Sequence, residues 1–484
     1  MSAARPGWWR DAVVYEVYPR SFQDSDGDGV GDLAGVTARL DALAWLGVDA
    51  LWLSPFFASP LADWGYDITD YTAVDPQLGG LDDVDALLTA THERGIRVIF
   101  DLVASHTSIE HQWFREHPDR YIWAEDGPPN NWRAAFGGPA WSRDERTGRW
   151  YLHSHYPEQP DLDWRNPAVR EAIAEVIRFW LARGVDGFRI DAMQVLVKDL
   201  ELRDDPAAAG EPTLPLPADL AALEPVHSRN APETRIALRA LRDAAGDALL
   251  VGEVYLPTAS LGPYLEQIDL AFAFEFMHSP WRAEALAPVI AAAAQTGRAA
   301  WVLSNHDFSR LATRLGPDAV RAAAMLLLTL PGPAFVYQGD EIGMADGPQA
   351  DPPRDRAGRD PFRSPMQWDP GPAGGFSEAA PWLPVADPKR RNVADQWRDP
   401  GSLLWLYRRL IELRPSLGES FEILDGPQGM LAYRRGEHIV AINLGRRPAP
   451  APRAGEPVLW TDAAERPPAE IPPNGGLVFR PAGV

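Results

Sequence analysis

Short runs rich in β-branched and aromatic residues alternate along the chain with stretches of helical periodicity. We predict that the short runs are buried strands, at residues 12–18, 50–53, 98–103, 187–192, 249–254, 269–276, 301–303 and 334–337. The amphipathic stretches at 36–46, 81–94, 167–183 and 318–330 are predicted helices. Eight strands separated by helices predict an α/β protein built on a parallel (β/α)8 TIM barrel.

Two segments, 105–166 and 193–232, are too long for ordinary loops between a strand and a helix. The first holds six of the 19 tryptophans: Trp113, Trp123, Trp132, Trp141, Trp150 and Trp164. These rings form either the core of an inserted subdomain or stacking surfaces for a ligand, and both interpretations remain open.

The hydrophobic pattern changes after a predicted helix at 402–414. Apolar residues then alternate with polar ones between Gly and Pro turns, which is typical of antiparallel strands. The predicted domains are therefore a barrel formed by 1–104 and 167–414, a subdomain at 105–166 inserted after the third strand, and a C-terminal β-sandwich at 415–484.

Composition narrows the classes of function. The 46 Lys and Arg residues against 68 Asp and Glu residues give a formal net charge of −22, which argues against nucleic acid as a partner. The absence of cysteine excludes disulfides, thiol nucleophiles and thiolate metal ligands. Neither a signal peptide nor an apolar run of membrane-spanning length is present, so we expect a soluble, cytoplasmic monomer or small homo-oligomer with no membrane partner.

Polar residues cluster at the ends of four predicted strands. A carboxylate in such a position is most often a helix cap or a solvated loop residue when taken alone. The active sites of TIM barrels lie at the carboxyl ends of the strands, however, so convergence of several acids there predicts a catalytic cleft. Two carboxyl groups flanking one bond are what glycosidic cleavage requires. The residues are Asp101, His106, Arg189, Asp191, Glu253 and the run Ser304–Asp307.

An acidic loop follows the first predicted strand. Its carboxylates occupy positions 1, 3, 5 and 9 of an EF-hand-like spacing, and a backbone carbonyl occupies position 7; the ligands would be Asp24, Asp26, Asp28, Asp32 and Val30. Position 12 is Gly35 and a strand precedes the loop, so the segment is not an EF-hand. We expect a structural Ca²⁺, with Mg²⁺ as the second choice and an acidic turn without metal as the alternative.

Six ordered motifs resemble those of the α-amylase clan of retaining glycoside hydrolases, within its oligo-1,6-glucosidase and α-glucosidase group. The motifs are DLVASH (101–106), QPDLDW (159–164), GFRIDA (187–192), GEVY (252–255), SNHD (304–307) and SPMQWD (364–369). Any one of them would be weak evidence, but together they cover nearly the whole chain. The acidic loop also resembles the metal loop of this group.

The resemblance implies roles for three carboxylates. Asp191 would be the nucleophile that forms a covalent glucosyl ester, Glu253 the general acid and then the base, and Asp307 the residue that holds sugar hydroxyls. Arg189 would keep Asp191 ionised, whereas Glu253 needs a raised pKa to hold a proton near neutral pH. Retention predicts that the Asp191 and Glu253 carboxyl groups lie about 5–5.5 Å apart.

The resemblance also implies residues that bind the terminal glucose of a small oligosaccharide. These are Tyr66, Asp67, His106, Phe136, Gln159, Arg189, His306 and Arg363. A pair between Asp67 and Arg363 would close the end of the pocket and admit a terminal sugar only. The alternative for each histidine is a structural role.

The predicted function is an exo-acting retaining α-glucosidase that releases glucose from short α-glucosides, with transglycosylation as a side reaction. Ala192 follows the predicted nucleophile, and in the resembling group a small residue at this place accompanies α-1,4 specificity. The alternatives are a glucosyl-transferring or isomerising enzyme similar to trehalose synthase, and an oligo-1,6-glucosidase. A remote alternative is a non-catalytic subunit similar to the heavy chains of amino-acid transporters.

Overall fold

A closed barrel of eight parallel strands forms the core of the fold. The computed structural model describes residues 7–451, 455–462 and 466–481. The barrel strands, in chain order, are Val13–Val17, Ala50–Leu53, Arg97–Leu102, Gly187–Ile190, Leu249–Gly252, Leu270–Phe272, Ala299–Val302 and Ala334–Tyr337. Each strand is hydrogen-bonded to its neighbours in the sequence, and the eighth pairs with the first. The predicted α/β barrel is therefore confirmed.

Helices occupy most of the segments between the strands. They are Leu33–Ala38, Leu40–Leu46, Leu81–Glu93, Gln112–Glu116, Pro167–Arg183, Ala218–Ala221, Thr234–Ala245, Gly262–Leu265, Phe274–His278, Ala283–Gln295, Leu311–Arg314, Val320–Thr329, Val393–Arg398 and Leu403–Leu413. The longest shows why the sequence folds this way locally. The Asn166 side chain caps its N-terminus, Pro167 occupies the first helical position, and Gly184 ends it with φ of 107°.

Two predicted elements differ from the structure. The strand predicted at 269–276 ends at Phe272, and Phe274–His278 is a short helix. Periodicity cannot separate a buried strand from a buried helical turn in so short an apolar run. The helix predicted at 36–46 is divided at Arg39, whose φ of −101° and ψ of 3° leave the helical region.

The chain divides into two compact units. The first unit comprises Met1–Trp52, Thr89–Arg97 and Glu275–Val484. It contains a five-stranded antiparallel sheet formed by Phe421–Leu424, Met430–Arg435, His438–Asn443, Gly475–Arg480 and Glu456–Trp460, and a two-stranded sheet of Ala449–Pro450 and Glu470–Ile471. Met430, Ala441, Leu477 and Phe479 belong to the buried core on this sheet. The predicted C-terminal antiparallel β domain is present.

The second unit comprises Leu53–Leu88 and Val98–Phe274. It contains the pair Phe57–Ala58 and Asp70–Val74, and a three-stranded sheet of Trp123–Ala124, Trp150–Leu152 and Trp141–Arg143 inside the inserted segment. Trp132 and Trp141 form a buried core there with Ala140 and Leu152, so these two rings serve the insertion's own packing.

The predicted domain boundaries stay a prediction, because the two units follow a different division of the chain. None of the helices in the described part of the chain has both the length and the apolar character that a membrane crossing requires.

Candidate active site

Three carboxylates share one guanidinium in the second unit. Arg189 and Asp191 point to the same side because side chains alternate along an extended chain. Arg189 Nη1 donates to Asp101 Oδ1 at 2.8 Å and to Asp191 Oδ1 at 2.7 Å, and its Nη2 donates to Glu253 Oε2 at 2.6 Å. We call Arg189, Asp101, Asp191 and Glu253 the Arg189 cluster.

The Arg189 guanidinium is only 1 % exposed. Burial lowers its pKa, but the charges of Asp101, Glu253, Tyr66 and Asp191 outweigh that effect and raise the pKa well above its ordinary value. Arg189 therefore stays charged, and its guanidinium binds two of the three predicted catalytic carboxylates, Asp191 and Glu253.

The backbone beside Asp191 is held in an uncommon conformation. Ala192 has φ of 42° and ψ of 47°, in the left-handed region that costs a residue with a Cβ atom about 1–2 kcal/mol. Its amide donates to Glu253 Oε2 at 3.1 Å. The turn thus aims a backbone donor at the predicted general acid.

Besides Arg189, three of the predicted glucose-binding residues of this unit, Tyr66, His106 and Gln159, contact one another or the Arg189 cluster. The Tyr66 hydroxyl donates to Asp101 Oδ2 at 3.1 Å, and His106 Nε2 lies 2.9 Å from the Tyr66 carbonyl oxygen. Burial lowers the pKa of His106, so its ring is neutral. The buried Gln159 donates to Asp63 Oδ2 at 2.9 Å and lies 3.0 Å from His106 Nε2.

Asp67 is fully buried and bound by its own loop. It accepts hydrogen bonds from Ser59 Oγ at 2.8 Å and from the amides of Ala62 and Asp63 at 2.8 and 2.9 Å. Burial raises its pKa, although these three donors act in the opposite direction. Its predicted partner, Arg363, donates to Asp307. Asp67 and Arg363 therefore each bind other residues in the structure.

Phe136 is the most exposed of the predicted binding residues, at 37 %. Its ring stacks on Tyr156 with centroids 4.2 Å apart and an interplanar angle of 16°. An aromatic side chain held in place but open to solvent can contact a sugar face.

Asp307, in the first unit, is surrounded by cationic groups. Arg359 Nη1 and Arg363 Nη2 donate to its Oδ1 at 3.0 and 2.9 Å, and His306 Nε2 lies 3.2 Å from its Oδ2. We call Asp307, His306, Arg359 and Arg363 the Asp307 cluster. Burial raises the pKa of Asp307, but His306, Arg359 and Arg363 outweigh it and hold the pKa well below its usual range.

The histidine of this cluster is charged. His306 Nδ1 lies 2.5 Å from Glu16 Oε1, and the ring stacks on Tyr18 with centroids 5.9 Å apart. Burial lowers its pKa, but Asp307 and Glu16 raise it to about 9. A carboxylate on each ring nitrogen makes His306 a double donor.

The sequence alone does not identify Glu16 or Arg359, and it indicates Asp101 only as one of the acids at the strand ends. Glu16 lies in an otherwise apolar strand and is 1 % exposed, so a charge inside a predicted buried strand was the available signal. Arg359 lies four residues before Arg363 and also binds Asp355 at 2.7 Å. Nothing in the local pattern marks it.

The acidic loop brings three of the predicted metal ligands together. Single carboxylate oxygens of Asp24, Asp26 and Asp28 lie within 4.8 Å of one another. The amide of Asp28 lowers the pKa of Asp26, but desolvation and the charges of Asp28, Asp24 and Asp32 raise it above its ordinary value.

Asp32 has a different role in the structure. It caps the helix Leu33–Ala38 by accepting from the Gly35 amide at 2.6 Å, and it accepts from the Ser25 amide and hydroxyl, both at 2.7 Å.

The three carboxylates of Asp24, Asp26 and Asp28, at this spacing, fit a hard cation that prefers oxygen ligands. The metal and the site roles stay predictions.

Comparisons with known proteins identify the family of the chain. The model of the alpha-amylase catalytic domain matches residues 16–420. The chain belongs to the alpha-amylase family. It is 41% identical to a probable alpha-glucosidase of Rhizobium meliloti over 480 residues, which cover 88% of this chain and 87% of that protein.

Two further relatives are similar over most of their length. An oligo-1,6-glucosidase of Parageobacillus thermoglucosidasius is 36% identical over 476 residues, covering 84% of this chain and 83% of that protein. The crystal structure of the alpha-glucosyl transfer enzyme XgtA superposes with a TM-score of 0.91 at 35% identity, covering 99% of this chain and all of that one. The family match and these relatives make the chain a glycoside hydrolase.

Proposed function

We propose that this protein is an exo-acting retaining α-glucosidase that acts on short α-glucosides. The observation that carries the proposal is the Arg189 cluster, in which one buried guanidinium holds Asp191 and Glu253 on its two terminal nitrogens. Two carboxyl groups oriented by one rigid group suit double displacement at a single carbon. The similarity to a probable alpha-glucosidase supports the choice of substrate class.

In the first step, Asp191 attacks the anomeric carbon as the glycosidic bond breaks. The Glu253 proton moves to the departing glycosidic oxygen, and the sugar becomes a covalent ester of Asp191. Arg189 donates to Asp191 Oδ1, which keeps the nucleophile ionised. A single guanidinium cannot balance three ionised carboxylates, which favours a proton on one of them, and we assign that proton to Glu253.

In the second step, Glu253 acts as a base. It takes a proton from water, the water oxygen attacks the anomeric carbon, and the ester bond to Asp191 breaks with net retention of configuration. The Ala192 amide, 3.1 Å from Glu253 Oε2, orients the carboxyl group in both steps.

The remaining residues would hold the terminal sugar. Asp307 is ionised and can accept sugar hydroxyls. His306 and Arg363 hold its carboxylate in place. We assign Tyr66, His106 and Asp67 to the same sugar and Phe136 to the neighbouring face.

We propose a preference for α-1,4 links because Ala192, the residue after the nucleophile, is small. Glucosyl transfer is the second candidate, because the XgtA structure superposes over nearly all of this chain. Transfer differs only in the acceptor, since a sugar hydroxyl then replaces water in the second step.

One assay tests the proposal. The purified protein is incubated with maltose, isomaltose, trehalose and sucrose, and glucose and transfer products are quantified separately, while NMR follows the anomer released first. We expect maltose to be the best substrate and α-glucose to be the first product. Release of the non-reducing glucose unit as the β-anomer would contradict retention, and a dominant transfer product would show that the protein is a transferase.

We also propose that Asp24, Asp26 and Asp28 bind a structural Ca²⁺. Their close spacing and the raised pKa of Asp26 support it, because a cation relieves crowding of like charges. Added Ca²⁺ should raise the melting temperature of metal-free protein, and Asp26→Asn should abolish the increase while the control Asp82→Asn, on the exposed face of another segment, should not. An equal increase in all three proteins would contradict a site here.

A further inference from the structure

A cavity lies against the long segment between Asp191 and Glu253, and none of the residues assigned to the sugar lines it. Its volume is about 370 Å³, within the range of small-ligand pockets. Its lining is mainly apolar and includes Leu214, Leu216, Leu223 and Val226 together with the turn 255–257. The hydroxyl of Tyr255 is held by the Pro215 carbonyl, to which it donates at 3.1 Å.

One cation lines this cavity. Arg229 is 7 % exposed, and its Nε is buried with no hydrogen-bond partner among the described residues. Its side chain forms no ion pair in that part of the chain, although the Asp205 charge favours its protonated form. Burial lowers its pKa, which reflects the cost of removing a guanidinium from water.

Hydrogen bonds of the two neighbouring residues fix the backbone at Arg229. The preceding Ser228 amide donates to Asp205 Oδ1 at 3.3 Å, and the following Asn230 amide donates to the Gln194 carbonyl at 2.7 Å. Asn230 also takes a left-handed φ of 57° and accepts from the Tyr264 hydroxyl at 3.0 Å. A buried guanidinium on a fixed backbone beside an apolar cavity is suited to pair with a carboxylate of a ligand.

The cavity adjoins the chain that follows the predicted general acid. Tyr255, which lines it, follows Glu253 by two residues, and its amide donates to Gln194 Oε1 at 3.2 Å, next to the nucleophile turn. The general acid protonates the oxygen that leads to the leaving group, so we assign the cavity to the leaving-group side of the substrate. The two acids in the lining, Glu211 and Glu224, are exposed and therefore screened by solvent.

We propose that this cavity binds an apolar, carboxylate-bearing leaving group or acceptor, such as an aryl carboxylate, through an ion pair with Arg229. The inference rests on the proposed glucosidase function and names a class of substrate for it. α-Glucosides of hydroxybenzoic acids fit this description, because they join a terminal glucose to a flat apolar body with one negative charge.

The test compares 4-carboxyphenyl α-glucoside with phenyl α-glucoside. The ratio of their kcat/KM values should favour the carboxylate substrate in the wild type and fall about tenfold or more in Arg229→Gln, since a lost buried charge pair costs at least this much. Arg229→Lys should retain part of the ratio. The control Arg239→Gln removes the same charge from an exposed site on the helix Thr234–Ala245 and should leave the ratio unchanged.

Binding is measured independently of turnover. In ¹⁹F NMR, 4-fluorobenzoate should bind the wild type more tightly than the neutral 4-fluorobenzamide, and Arg229→Gln should remove the difference. Equal affinity for the two probes, no binding of either, or a substrate ratio that Arg229→Gln leaves unchanged would overturn the proposal. If neither glucoside is hydrolysed, the glucosidase function fails, and the fluorobenzoate result alone decides the cavity.

Discussion

The two carboxylate clusters have opposite ratios of charge. In the Arg189 cluster one guanidinium binds three carboxylates, whereas in the Asp307 cluster two guanidinium groups and a charged imidazole bind one. The same side chain, a carboxylate at the end of a barrel strand, thus meets two different environments. Three acids on one cation favour a proton on one of them, and three cations in contact with Asp307 keep that acid ionised.

The comparison indicates how one fold assigns different tasks to identical groups. Proton transfer requires a carboxyl group that can gain and lose a proton, while stabilisation of positive charge on the sugar requires one that stays ionised. The partners of each carboxylate, and not the carboxylate itself, determine which task it can perform. The predictions below test that difference, beginning with the largest expected effect.

Replacing the nucleophile should have the largest effect. Asp191→Asn removes the group that forms the ester, so we expect kcat to fall about 10⁴-fold or more, which corresponds to roughly 5 kcal/mol in activation free energy. Steady-state hydrolysis of 4-nitrophenyl α-glucoside measures the loss. The control Asp82→Asn makes the same change at an exposed position and should keep wild-type activity. Unchanged turnover in Asp191→Asn would remove this residue from its role.

Removing one cation from each cluster should lower the free energy of unfolding by different amounts. Arg359→Gln leaves Asp307 paired with His306 and Arg363 but leaves the buried Asp355 without its main partner, so we expect a loss of about 3–5 kcal/mol. Arg189→Gln leaves three acids without their shared guanidinium and should cost more.

Urea unfolding at pH 7 measures both changes. At pH 5 the loss in Arg189→Gln should become smaller, because protonation neutralises the acids that lost their partner. An equal loss in the two variants at both pH values would contradict the difference between the clusters.

The sequence predicted the barrel, the family and the residues at the strand ends, because these follow from periodicity and short motifs. Asp191 and Glu253 each come within one residue of the end of a barrel strand. The partners were harder to predict. Arg359 is separated from Asp307 by 52 positions, so only the folded chain shows their contact. Glu16 is a charge inside an otherwise apolar strand, but its partner His306 lies 290 positions away, so the sequence does not show what it binds.

The pKa values of the two histidines, His306 and His106, should be shifted in opposite directions from the ordinary value. The folded pKa of His306, about 9, lies above the ordinary 6.5, so its contribution of about 3 kcal/mol to stability is complete below pH 6.5 and is lost as the pH rises through 9. The folded pKa of His106 is lowered, so its contribution is present above pH 6.5 and is lost as the pH falls below that value.

Carbon-13 NMR of histidine Cε1 measures both groups, with His306→Gln and His106→Gln to assign the signals. We expect the His306 signal to remain that of a charged ring up to about pH 9 and the His106 signal to remain that of a neutral ring at pH 6.5. Titration of His306 near pH 6.5 would show that Glu16 and Asp307 do not hold its proton.

The smallest effect concerns backbone strain, which also differs between the two regions. Of the six described non-glycine residues with positive φ, five lie in the second unit, and Ala192 is the one that contacts Glu253. Ala192→Gly removes the strain of about 1–2 kcal/mol but increases the entropy of the unfolded chain by about 0.4–1 kcal/mol. The net result should be a gain in unfolding free energy of up to about 1.5 kcal/mol.

The matched control for this change is Ala174→Gly, in the helix Pro167–Arg183. There the native backbone is helical, so the same substitution relieves no strain and should cost about 1 kcal/mol. The two variants should therefore shift the urea midpoint in opposite directions. A destabilisation of Ala192→Gly equal to that of Ala174→Gly would mean that the left-handed turn stores no strain beside the nucleophile, and the Ala192 amide would then be placed by packing alone.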